Sequence, residues 1–154
     1  MRRSYIVKTS GGEFKLRLTL AGQKNLLAKN PDTSIMALVM SAIDDPQDME
    51  NLLTEALTWD GNENAIHEGA KLYDLMVDDG KCGTDCFADL VLNIAHNAGL
   101  ISDDERKKIH RGIVVKIRNG IDSMFEEEPE FPDLSGNEEG VEGSENPPLT
   151  MPTL

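Results

Sequence analysis

Residues 4–31 read SYIVKTSGGEFKLRLTLAGQKNLLAKNP, and this stretch decides how the fold begins. Tyr5 and Val7 alternate with Ile6 and Lys8, which is the period of a strand. Ser10-Gly11-Gly12 then supplies a turn, because glycine enters positive φ at little steric cost. On the return, Phe14, Leu16, Leu18 and Leu20 alternate with Lys15, Arg17 and Thr19, so apolar side chains fall on one face and a basic stripe on the other. A lone hairpin is marginal in water. The face carried by Phe14, Leu16 and Leu18 is therefore expected to close over helices, with the possibility of extending between copies. Thr19 is placed to cap a helix from Leu20 to about Lys29, and Asn30-Pro31 ends it, since proline disfavours helix at the residue before it.

Downstream the apolar period changes from two to that of a helix. Ile35, Met36, Leu38, Val39 and Ala42 predict a helix that is apolar around most of its circumference, which needs burial or a partner. Asp45-Pro46 is a helix start, with a capping carboxylate followed by proline at the first helical position. Met49, Leu52, Leu53, Ala56 and Leu57 follow it at helical spacing. Asp60-Gly61-Asn62 marks a turn, and the next helix is expected over about 63–77, with Ile66, Ala70, Tyr73 and Val77 on one line and Leu72 and Met76 beside it. Gly80 and Gly83 punctuate. Thr84 opens a helix with Phe87, Leu90, Val91, Ile94 and Ala95, which Gly99 closes. Ser102-Asp103-Asp104-Glu105 is a capping box ahead of a last helix carrying Ile109, Ile113, Val114, Ile117, Ile121, Met124 and Phe125. The fold class predicted is α+β and mostly helical: an N-terminal β-hairpin, then about six short or medium helices.

Composition bounds the rest. The chain has 154 residues, enough for one domain with a real core, and a formal net charge of −13. Residues 126–154 hold nine acidic residues, no Lys or Arg, and five of the seven prolines. Residues 1–125 hold 15 basic and 19 acidic residues. The expected organisation is one folded domain over 1–125 and a disordered acidic, proline-rich tail over 126–154, which cannot bury enough surface to offset its chain entropy. Such a negative balance argues against a nucleic-acid surface, which must neutralise phosphates. Lys107, Lys108, Arg111, Lys116 and Arg118 on the last helix are read as a solvated face. No apolar run reaches bilayer length, and MRRSYIVK has no apolar signal core, so an intracellular protein without membrane association is expected.

No catalytic set emerges. Cys82 and Cys86 lack the second ligand pair of a structural zinc site, and His67, His96 and His110 are scattered over different helices. Asp44-Asp45, Asp78-Asp79 and Asp103-Asp104 lack the alternating spacing of a calcium loop and read as helix-end charges. There is no nucleophile elbow and no phosphate loop. Neither an enzyme nor a metal or other cofactor is expected.

The short strand, the Ser-Gly-Gly turn and then EFKLRLTLAGQKNLLAKNP resemble the opening of the tail assembly chaperones of long-tailed phages and prophages. The likeness is carried by the LRLT segment that ends the strand, the lysine-containing helix after it and the Asn-Pro exit. It covers about the first quarter of the chain, and after that only the order of elements agrees. The resemblance implies a non-enzymatic protein of the bacterial host cytoplasm. It would bind the tape measure protein, hold it soluble and help recruit tail tube protein around it. Relatives in that group are often made in two lengths by frameshifting. A structural tail completion or head–tail connector component of the virion is the alternative. On either view a homo-oligomer is possible. Met36, Val39 and Met40 are the expected anchors for a helical partner, and Phe14, Leu16 and Leu18 the hairpin face.

Overall fold

The alternation around Ser10-Gly11 forms the hairpin that the sequence predicts. In the computed structural model, which describes residues 4–126, β1 spans Tyr5–Thr9 and β2 spans Gly12–Leu16. They pair antiparallel, with Tyr5 opposite Leu16, Val7 opposite Phe14 and Thr9 opposite Gly12. Thr9 Oγ1 accepts the Gly11 N–H, and Gly12 takes a φ of +118°, open to glycine and strained for other residues. Val7, Phe14 and Leu16 are buried, and Ile6 and Lys8 face out. The strand stops sooner than the alternation suggests. Leu18 is still buried, but Leu20 is the first residue of a helix and 65% exposed. Thr19 changes the chain's course there, its side chain accepting the Gly22 N–H at 3.1 Å.

Among the described residues six helices follow: α1 Leu20–Lys29, α2 Ile35–Ser41, α3 Pro46–Leu57, α4 Gly69–Asp78, α5 Thr84–Asn97 and α6 Asp103–Glu126. Their ends are set by local chemistry. Ser34 caps α2, and the Asp45 carboxylate caps α3 by accepting from Gln47 and Asp48. Gly80 and Gly99, both at positive φ, end α4 and α5 in the same way. The Gly80 N–H reaches the Val77 carbonyl and the Lys81 N–H the Met76 carbonyl, while Gly99 and Leu100 do the same to His96 and Ala95. Ser102 and Glu105 form the capping box reciprocally, at 2.8 and 3.1 Å.

The core of the first compact unit, Met1–Ile113, is built on α3 and α5. Met49, Leu52, Leu53, Ala56 and Leu57 of α3 are fully buried, as are Leu90, Val91, Leu92, Ile94 and Ala95 of α5. At about 1.5–3 kcal/mol for each large apolar side chain buried, these two helices supply about half of the favourable side, and the hairpin and the other helices the rest. Helix α3 packs against β2, α1, α2 and α4, and α5 against β1 and α2. Within this unit Ile109 and Ile113 of α6 lie against the core. The second unit, Val114–Leu154, is described only as the rest of α6, where Val115, Ile121 and Met124 are exposed. The expectations for the acidic tail beyond residue 126 lie outside the described residues.

One helix boundary differs clearly from the sequence reading. A helix over 63–77 was the expectation, and α4 begins only at Gly69. The preceding residues serve β2 instead. The Trp59 indole N–H donates to the Lys15 carbonyl at 2.8 Å, Asn62 Oδ1 accepts the Lys15 N–H, and Asn64 Nδ2 donates to the Glu13 carbonyl. Asn62 also donates to the Leu57 carbonyl and is a buried polar side chain. These side chains act as a third strand would and keep residues 59–64 irregular. Gly69 then lies so close to α3 that a Cβ would come within 2.3 Å of the Glu50 carbonyl oxygen. The buried face of α4 is Gly69, Leu72 and Met76; of the expected line, Ala70 and Val77 are exposed, while Ile66, which precedes the helix, and Tyr73 are part-buried against the core.

Candidate functional site

The three expected anchors on α2 separate in the structure. Val39 is fully buried within the core cluster and is unavailable to a partner. The reason is its position, one residue after buried Leu38, on the side of the short helix that meets α3 and α5. Met36 and Met40 are half-buried, packed against the core with part of each side chain in solvent. Phe14, Leu16 and Leu18 are all buried, so the hairpin face closes the core.

A concave apolar surface does exist, a turn further along the chain. A cleft of about 210 Å³ is lined by Ala42, Ile43, Met49, Tyr73 and Phe87 together with the turn Asp44-Asp45-Pro46 and the start of α5. The Tyr73 and Phe87 rings stack at 5.2 Å and form one wall. A smaller depression of about 170 Å³ shares Pro46 and Tyr73 with it and extends to Glu50, Ala70 and Asp74. Pockets for drug-sized ligands run from about 300 to 1,000 Å³, so this furrow is sized for one or two side chains. Its rim is acidic, through Asp44, Asp45, Glu50 and Asp74. Apolar floor and acidic rim together suit the face of a helix with spaced apolar anchors and basic flanks. Sequence reasoning missed Tyr73 and Phe87 because they come together only when α4 meets α5.

Several of the groups that could carry chemistry have structural partners. Cys82 is exposed and Cys86 half-buried, both as free thiols. Burial, then the carboxylate of Asp89, pushes the Cys86 thiol above its ordinary pKa, with Cys82 and Asp85 adding and Lys81 opposing. That is the reverse of what an activated thiolate requires. His96 Nδ1 lies 3.2 Å from the Ile101 carbonyl, His110 Nε2 lies 3.1 Å from Asp85, and His67 is exposed. Asp79 accepts the Ser10 N–H at 2.7 Å and so anchors the hairpin turn. Asp103 is held below the usual carboxylate range by hydrogen bonds from Arg106 and then Lys107. Among the described residues no three of His, Cys, Asp and Glu converge into a metal-ligand set, and no helix is long and apolar enough to cross a membrane.

Comparison of the chain with protein-family models, with curated proteins and with solved structures finds no match.

Proposed function

We propose that the protein is a phage tail assembly chaperone that binds the tape measure protein without turning over any small molecule and helps bring tail tube subunits to it. The observation that carries the proposal is the opening of the chain, SYIVKTSGGEFKLRLTLAGQKNLLAKNP, with its family-like strand, turn and helix. The furrow supports it by offering an apolar floor of Ile43, Met49 and Phe87 on which a partner helix can seat its anchors. Met36 and Met40 add adaptable, part-exposed apolar surface on α2. The acidic balance of the chain favours a partner with basic flanks and keeps the apolar surface soluble.

Co-expression with the tape measure protein, the long protein that this proposal assigns as partner, tests this. The chain is expected to raise that protein's soluble yield and to be recovered in a complex with it. Ile43→Asp, which places a charge on the part-exposed floor of the furrow, is expected to abolish recovery at a stability cost of about 1–2 kcal/mol, small enough to leave the chain folded. Equal solubility of the long protein with and without this chain, and no complex, would remove the chaperone proposal and favour a structural component of the virion.

A further inference from the structure

Strand β1 has an outer edge whose centre, at Ile6, is left unpaired among the described residues. Residues flanking a two-residue hairpin loop exchange hydrogen bonds, and pairs alternate from there. With Thr9–Gly12, Val7–Phe14 and Tyr5–Leu16 bonded inward, Ile6 and Lys8 on β1 and Glu13 and Lys15 on β2 turn their main-chain groups outward. On the β2 side both Lys15 groups and the Glu13 carbonyl are taken by Trp59, Asn62 and Asn64, as the alternation requires. On the β1 side the Lys8 carbonyl accepts from Lys81 Nζ, and no described residue outside the hairpin bonds the Ile6 N–H or C=O. Along this edge runs a groove of about 210 Å³, bounded across from the strand by Met76, Lys81, Cys86, Asp89 and Leu90. The Ile6 side chain, at the strand's centre, is 47% exposed.

We propose that this edge joins two copies of the chain, β1 pairing antiparallel with β1 of a second copy about a two-fold axis at Ile6. The proposal is independent of the chaperone reading. The backbone defines the occupant first: it must be an extended segment offering one N–H and one C=O opposite Ile6, and Ile6 of a second copy offers both, closing a reciprocal pair of bonds. Charge defines its direction. The groove is cationic at the Lys8 and Lys81 end and anionic at the other, where Asp89 accepts from Tyr5. Antiparallel pairing lays the cationic end of each copy against the anionic end of the other. Parallel pairing would set Lys8 beside its own counterpart, which is repulsive. At the axis the two exposed isoleucines cover one another on the outer face. Such a contact is isologous and closes at two copies. A five-residue strand edge buries less than the ~1,000 Å² of a stable interface, so the dimer exchanges with monomer.

Light scattering and amide hydrogen exchange on the full chain across a concentration series test the proposal. The mass is expected to rise from 16.9 kDa towards twice that value, and exchange at the Ile6 amide is expected to slow over the same range. Ile6→Lys removes the apolar contact at an exposed site. It is expected to stay monomeric throughout, with melting unchanged under dilute conditions. A constant monomer mass, an Ile6 amide indifferent to concentration, or an Ile6→Lys chain that dimerises as well as the parent would each overturn it. The last result would point instead to a contact elsewhere on the surface.

Discussion

Val39 and Met40 are neighbours in α2, yet one is sealed in the core and the other half in solvent. Both read as apolar helix positions in the sequence, because a seven-residue helix with apolar residues around most of its circumference does not reveal which side is covered. The packing against α3 and α5 decides it. Val39→Asp is expected to cost several kcal/mol, since an unpaired carboxylate would lose its water. Met40→Asp should cost about 1–2 kcal/mol, since part of that side chain already meets solvent. Chemical denaturation of the two variants checks the contrast; equal losses would mean that Met40 is as deeply packed as Val39. Residues whose burial follows from strict alternation were legible in advance: Phe14 and Leu16 are buried as the hairpin pattern requires.

At the scale of elements, what could be read in advance was what short-range chemistry fixes. The Thr19 and Asp45 caps, the proline after Asp45, the Ser102–Glu105 box and the stop at Gly99 each act within a few residues, and each sits where the sequence puts it. The start of α4 was not legible, because Asn62 and Asn64 are committed to a strand nearly 50 positions earlier in the chain, at separations of 47 and 51 residues. The furrow escaped for the same reason. Two variants separate the local and non-local causes. Asp45→Ala removes a cap and is expected to cost about 1 kcal/mol. Gly69→Ala introduces a Cβ at 2.3 Å from the Glu50 carbonyl oxygen, which α3 cannot yield easily because it is backbone. A loss of at least about 1–3 kcal/mol is expected, despite alanine being the better helix former. A Gly69→Ala chain as stable as its parent would show that α4 is free to draw back from α3.

The molecule as a whole joins its first strand to its late helices, and pH can report on that joint. Tyr5 donates to Asp89 of α5 across 84 residues of sequence. Burial first, and then the charge of Asp89, raise the Tyr5 phenol above its ordinary pKa. Folding therefore favours the protonated phenol. The associated stability is fully present below the ordinary tyrosine pKa and is lost as pH rises from there through the raised folded value. Melting temperature is expected to fall over this alkaline range, and to fall less in Tyr5→Phe, which has no proton to lose. Parallel curves for the two chains would mean that the phenol is not coupled to folding. The same long joint bears on how the chain reaches its native state. Ser10 is held by Asp79, Lys8 by Lys81 and Tyr5 by Asp89, so the segment synthesised first completes its contacts only after α5 exists. Contacts so distant in sequence slow folding, because loop closure must be met before they contribute. On the ribosome, Tyr5 and Val7 of β1 emerge long before α5, the helix against which that strand packs. This leaves the hairpin incompletely covered, and open to aggregation, until α5 follows.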